Sequence, residues 1–154
     1  MVLKKLLFFP LFILFFTSCE QKQKDKRIID KEKNITGLPT NDKRFLELKD
    51  TAQKHIAEFI EAFQKNRNDT NYYFIIKSDY VENETHEHMW ASPIGYRNGL
   101  FKCIFTDSAY NLTNVYPGDT VVVMSKDIED WVIFDNYKGT KKGSFSEKYL
   151  KGEE

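Results

Sequence analysis

Across residues 66–71 the hydrophobic period of this chain changes, and that change limits what it can fold into. Phe45, Leu48, Ala52, Ile56, Phe59, Ile60 and Phe63 recur at three- and four-residue spacing, which places them on one face of an α-helix. After the polar run 66–71 the spacing falls to two. Tyr72, Phe74 and Ile76 alternate with Tyr73, Ile75 and Lys77, as residues on opposite faces of a strand do. A helix with one apolar stripe followed by a sheet needing cover on one face points to an α+β architecture. Asn41 or Asp42 can cap the helix by accepting from its orphan amides.

Further strands follow at short intervals. "ENET" reads as a turn, "EHMWAS" as a second strand and "GLFKCIF" as a third after the "YRNG" turn. "DTVVVMS" is a fourth, after Pro117 and Gly118. "WVIFDN" and "GSFSEKYL" supply one or two more, separated by "YKGTKKG". Connections this short favour antiparallel neighbours. The expected fold is therefore α+β, with one long N-terminal helix packed on a curled antiparallel sheet of about five strands.

The amino-terminal end carries an address. Lys4 and Lys5 precede an apolar run over 6–16, and Thr17 and Ser18 then lead to Cys19. That order is an export signal, and its apolar part is shorter than the roughly 20 residues of a spanning helix. A cysteine closing the box resembles a bacterial lipoprotein processing site, with Phe16 where leucine is usual. By that resemblance Cys19 becomes the first mature residue and carries the acyl chains. Residues 1–18 are then the signal peptide and 19–41, polar with few apolar groups, a flexible tether. Residues 42–154 form a single domain.

Charge narrows the partners. The chain balances 23 basic against 23 acidic residues, and loss of Lys4 and Lys5 on processing leaves a mildly acidic domain. No basic stripe exists for a phosphate backbone, so no nucleic-acid partner is expected. The expected partners are a membrane, through acylated Cys19, and an envelope protein. Cys103, the other cysteine, lies in the apolar "LFKCIF" run and reads as a core thiol.

Few residues carry chemistry. His86, His88 and Trp90 share one strand face, and Glu87, Met89 and Ala91 the other. The two histidines lack the further ligands that a zinc site requires, so no metal and no cofactor is expected. Glu87 is a candidate acid or base, with no paired carboxylate or nucleophile visible beside it. Asp127, Glu129 and Asp130 cluster before Trp131 without the alternation or central glycine of a calcium loop. A short helical turn placing Ile128 and Trp131 inward explains the cluster without an ion. Trp90 and Trp131 are expected as buried anchors, and His86 as dispensable.

"FIIKSDY", "EHMW", "YPGDTVVV", "IEDW" and "KGSFS" together resemble the bacterial family of unknown function designated DUF2314, or YegJ-like, over residues 45–150. The resemblance puts Glu87, His88, Trp90, Gly118, Asp119, Asp130, Trp131 and Gly143 at signature positions, and leaves His86 outside them. The chain departs from the family in "FKCIFTDSAYN", in Val132 where methionine is frequent, and in Ser144 where a second glycine is frequent. The family implies no activity. The expected function is a noncatalytic binding or interaction module, lipid-anchored in the cell envelope at the outer membrane, whose ligand-binding candidates are Glu87, His88 and Asp130. The alternative is an envelope hydrolase using Glu87 and His88 as catalytic residues.

Overall fold

The computed structural model describes residues 28–30, 35–39 and 41–153. The expected signal peptide, Cys19 and most of the expected tether lie outside the described residues. Within the segment expected as a tether, β1 (Ile28–Asp30) and β2 (Ile35–Gly37) pair antiparallel. The Thr36 hydroxyl donates to the Leu150 carbonyl at 2.7 Å.

Two helices open the domain, α1 (Lys43–Lys54) and α2 (Ile56–Asn66). Asp42 caps α1, its carboxylate accepting from the Phe45 amide at 2.9 Å. The expected single long helix is thus corrected to two, broken at His55. The cause is a side chain from far along the sequence. The Trp131 indole N–H donates to the Ala52 carbonyl at 3.0 Å, and the His55 amide donates to the same oxygen at 3.2 Å. In an unbroken helix that carbonyl serves the amide four residues on. Sharing it with an intruding donor tightens the turn, and His55 leaves helical geometry at φ −103°, ψ 7°.

The sheet also differs from the expected five strands. It has six: β3 (Tyr72–Glu82), β4 (Thr85–Arg97), β5 (Leu100–Phe105), β6 (Thr120–Met124), β7 (Ile128–Asp135) and β8 (Thr140–Gly143). Their spatial order is β6-β5-β4-β3-β7-β8, and every pairing is antiparallel. The extra strand β8 arises in "TKKG", read from sequence as part of a loop. The segment "SFSEKYL", read as a strand, forms a chain reversal and a short helix α3 (Glu147–Lys151). Ser144 makes that reversal at φ +62°, and two amides beyond it are taken by a carboxylate of β7 (below).

The connection from β6 to β7 shows how strongly the sheet curls. Only the 3₁₀ turn Ser125–Asp127 joins them, yet they stand first and fifth in the sheet. Four spacings of about 4.8 Å separate such strands in a flat sheet, whereas four residue steps reach at most about 14 Å. The sheet closes around α2 accordingly. Phe59 packs on Phe101 of β5, Phe74 of β3 and Trp131 of β7. Phe63, Met89, Ala91, Cys103 and Ile133 extend the same core. Burial pushes the Cys103 thiol up to about 12, so it stays protonated.

The strands alternate, with one correction of spacing. Lys77 pairs with Asp130 but Ser78 pairs with Ile128, so Glu129 is the extra residue of a β-bulge. The bulge lets Ile128 and Trp131 both face the core, each fully buried, at a spacing of three that reads from sequence as helical.

Candidate functional site

Glu87 and His88 are neighbours on β4, so the pleat sends them to opposite faces. Glu87 faces the inner side, where the β5–β6 loop crosses. Its carboxylate accepts from the amides of Tyr110 at 2.8 Å and Asn111 at 2.7 Å, with Leu112 at 3.4 Å. Glu82, at the end of β3, holds the same loop through the Thr113 amide and hydroxyl and the Asn114 side chain. The Thr113 amide bond, with the Asn114 side chain behind it, keeps the Glu82 carboxyl below the usual range. Two carboxylates of one hairpin therefore pin a loop whose Leu112 enters the core.

His88 lies on the outer face. Its Nδ1 is 2.6 Å from Glu129 Oε2, so the ring donates there, and the ring edge meets Phe45 of α1 at 5.5 Å between centroids. Lys49 Nζ lies 3.1 Å from the other oxygen of Glu129. Burial raises the Glu129 carboxyl, but the bonds and charges of His88 and Lys49 outweigh it and hold it low. A carboxylate at 3% exposure is tolerable only when paired in this way. The bulge that displaces Glu129 is what turns it toward both partners.

Lys77 and Trp90 sit opposite each other on the neighbouring pair of strands. The Lys77 ammonium lies 5.6 Å from the centre of the indole ring, within cation–π reach. Burial lowers its pKa against the pull of Asp130 and Glu129. Trp90 itself is half-buried, unlike the expected anchor, because α2 packs against the sheet's other face. Trp131 is fully buried. His86, on the exposed end of the hairpin, pairs with Asp79 at 2.7 Å.

Asp130, a ligand candidate in the sequence, is fully buried and engaged by its own chain. It accepts from the amides of Trp131, Phe145 and Ser146 at 2.8–3.0 Å and from the Ser146 hydroxyl at 2.6 Å. It ties the segment after β8 back onto β7. Gly143, at φ +85°, makes that return possible, since a Cβ there would lie 2.1 Å from the Trp131 carbonyl oxygen. Gly118 has φ +93°, and a Cβ on it would meet nothing within 4 Å. It forms the turn into β6, locked by Asp119, whose carboxylate accepts from the Tyr116 amide at 2.9 Å.

The structure therefore brings Glu87, His88, Asp130, Gly118, Asp119 and Gly143 into separate local roles and not into one pocket. Two open surface grooves of about 400 and 660 Å³ are lined by neither Glu87 nor His88. Among the described residues, no group of three or more His, Cys, Asp and Glu side chains is placed to hold a metal ion. Lys49, Glu82 and Ser146 escaped sequence reasoning. Each meets its partner across a long stretch of chain, and no local spacing signals such a contact.

A curled six-stranded antiparallel sheet around a broken helix, its polar signature residues bound internally, defines a small α+β domain with no recognisable catalytic constellation among the described residues. The chain belongs to the DUF2314 family, described as an uncharacterized protein conserved in bacteria, whose pattern matches residues 42–153. It is 31% identical over 81 residues to the uncharacterized protein YegJ of Escherichia coli (strain K12), an alignment covering 53% of this chain and 51% of that relative. The chain thus spans about half the length of that curated relative. No solved structure gives a significant match.

Proposed function

We propose that this protein is a noncatalytic interaction module of the bacterial cell envelope, held on a membrane by an acylated Cys19, with the outer membrane as its address. The observation that supports a binding role best is the divergence of Glu87 and His88. A hydrolase needs its acid, base or nucleophile aimed at one substrate position. Here one group holds backbone amides of a loop and the other holds Glu129, on opposite faces of a strand. The hydrolase reading has no geometric support of its own. The outer sheet face, by contrast, presents Tyr73 at 45% exposure and half-buried Trp90, aromatic types common at interfaces.

The anchoring half rests on the order Lys4-Lys5, apolar 6–16, Thr17-Ser18-Cys19. Among the described residues no helix is long and apolar enough to cross a membrane. Several acyl chains on one residue hold a protein stably, at about 0.8 kcal/mol for each buried methylene.

One experiment in living cells tests both halves. The wild-type chain should fractionate with membranes and show acyl mass, and Cys19→Ala should lose both. A photoreactive residue at Ser92, on the outer face beside Trp90, should give a discrete adduct with a second envelope protein that disappears in Cys19→Ala. An unmodified mature Cys19 sinks the anchor. Absence of any adduct from Tyr73 and Ser92 positions sinks the interaction surface.

A further inference from the structure

β6 is an edge of the sheet, paired with β5 and with no other strand among the described residues. The direction of its backbone groups follows from two bonds. The Phe105 amide donates to the Asp119 carbonyl at 3.0 Å, and the Ser125 amide donates to the Gly99 carbonyl at 2.8 Å. In an antiparallel ladder alternate residues turn their N–H and C=O to the same neighbour. Asp119, Val121, Val123 and Ser125 therefore face β5, and Thr120, Val122 and Met124 direct theirs outward. All three are exposed.

Soluble proteins guard such an edge with lysine, proline, a bulge or a covering segment. Here the strand reads Thr-Val-Val-Val-Met, with no charged residue between Asp119 and Lys126. Its side chains continue the exposure on the outer face: Val122 is 62% exposed, Met124 44% and neighbouring Leu100 43%. An edge of this kind accepts another strand.

We propose that the partner is a second copy of this chain, joined by antiparallel pairing of the two β6 strands about a two-fold axis at Val122. This register sets Val122 opposite its twin and Thr120 opposite Met124 of the other copy. Every outward donor and acceptor of the strand then finds a bonded partner. It is also the register in which the ends complement each other. Asp119 stands at one end of β6 and Lys126 beyond the other, so an antiparallel copy brings the acidic end of each strand beside the basic end of its twin. Leu100, Val122 and Met124 lie on one face and become continuous across the axis. The contact is isologous, closes after two copies and leaves no free β6 edge.

The test uses the full chain purified in detergent. Its mass, followed over a concentration series, should move from one copy to two. Val122→Pro removes an outward N–H that the β5 ladder does not use, and Val122→Lys places like charges opposite each other beside Lys102 on an exposed position. Each should raise the dimer dissociation constant by roughly tenfold or more, and Val122→Lys should still melt cooperatively, close to wild type at concentrations where both are single copies. In membranes, Val122→Cys should cross-link to a second copy under mild oxidation, and Lys142→Cys on β8 should not. A chain that stays monomeric at every concentration overturns the proposal. So does a dimer indifferent to both variants, or a Val122→Cys cross-link to a different protein.

Discussion

The two edges of the sheet end in different ways. β8 is four residues long, and its Lys141 and Lys142 are both exposed and both paired, with Glu147 and Glu58 respectively. At its end the chain reverses through Gly143 and Ser144 and is tied down on Asp130. β6 has five residues and no charge, and no second strand pairs with its outward side among the described residues. Both strands pair along their whole length with their inner neighbours, so strand formation does not distinguish them. The difference lies in what the outward positions carry. β8 is an edge closed by chemistry, and β6 is an edge open to another strand.

The largest effect should come from breaking the closed edge at its tightest point. Gly143→Ala drives a methyl into the Trp131 carbonyl and ring, with backbone rather than a flexible tip in the way. A loss of about 4 kcal/mol or more is expected, a large share of the roughly 5–15 kcal/mol of a whole domain. Urea unfolding checks it. Gly118→Ala, the matching change at the open edge, meets empty space and should cost only about 1–2 kcal/mol for its left-handed backbone. Equal losses at the two glycines would refute the distinction drawn between them.

Asp130→Ala comes next. It leaves the amides of Phe145 and Ser146 without their acceptor, and unpaired buried groups cost about 1–3 kcal/mol each. Stability should fall by roughly 2–4 kcal/mol, and limited proteolysis should begin after β8 while β6 stays protected. Cleavage starting near β6 instead would contradict this picture.

Acid should loosen the closed edge. The Glu147 carboxyl is held at about 2, first by its bond to Lys141 and then by Lys151 and Ser144. Glu129 is also held low. Folded values below the unfolded ones mean stability that is fully present above about pH 4.5 and is lost as pH falls through the folded values, for Glu147 toward about 2. Glu147→Gln should flatten part of that acid limb, read from melting temperature against pH. An unchanged limb in both Glu147→Gln and Glu129→Gln would place the acid sensitivity elsewhere.

The smallest effect on stability should be the most telling for the comparison. Lys142→Val removes an exposed ion pair, which is worth little, and should change stability by less than about 0.5 kcal/mol. It strips the closed edge of one guard, so aggregation should begin at lower concentration, as measured by light scattering. No change in its onset would mean that the lysines do not guard β8.

Some of this was legible along the chain. The stripe from Phe45 to Phe63, the Asp42 cap and the alternation from Tyr72 onward are local patterns, set by helix and strand periods that act over a few residues. They determined an α+β fold, while the apolar "LFKCIF" run marked Cys103 as a core thiol and motifs such as "EHMW" and "IEDW" carried the family resemblance. The tertiary structure decided what depends on partners distant in sequence. The Trp131 indole breaks the helix at His55, 76 positions away along the chain. A bulge at Glu129 sends that carboxylate to Lys49 and His88, and Asp130 captures Phe145 and Ser146. Trp90 and Trp131 look alike in sequence but differ in burial, because only one lies on the face that α2 covers. Local periodicity fixes which side of an element a residue occupies. Which side becomes interior, and which carboxylate meets which amide, is settled only when the elements pack and buried polar groups must find partners.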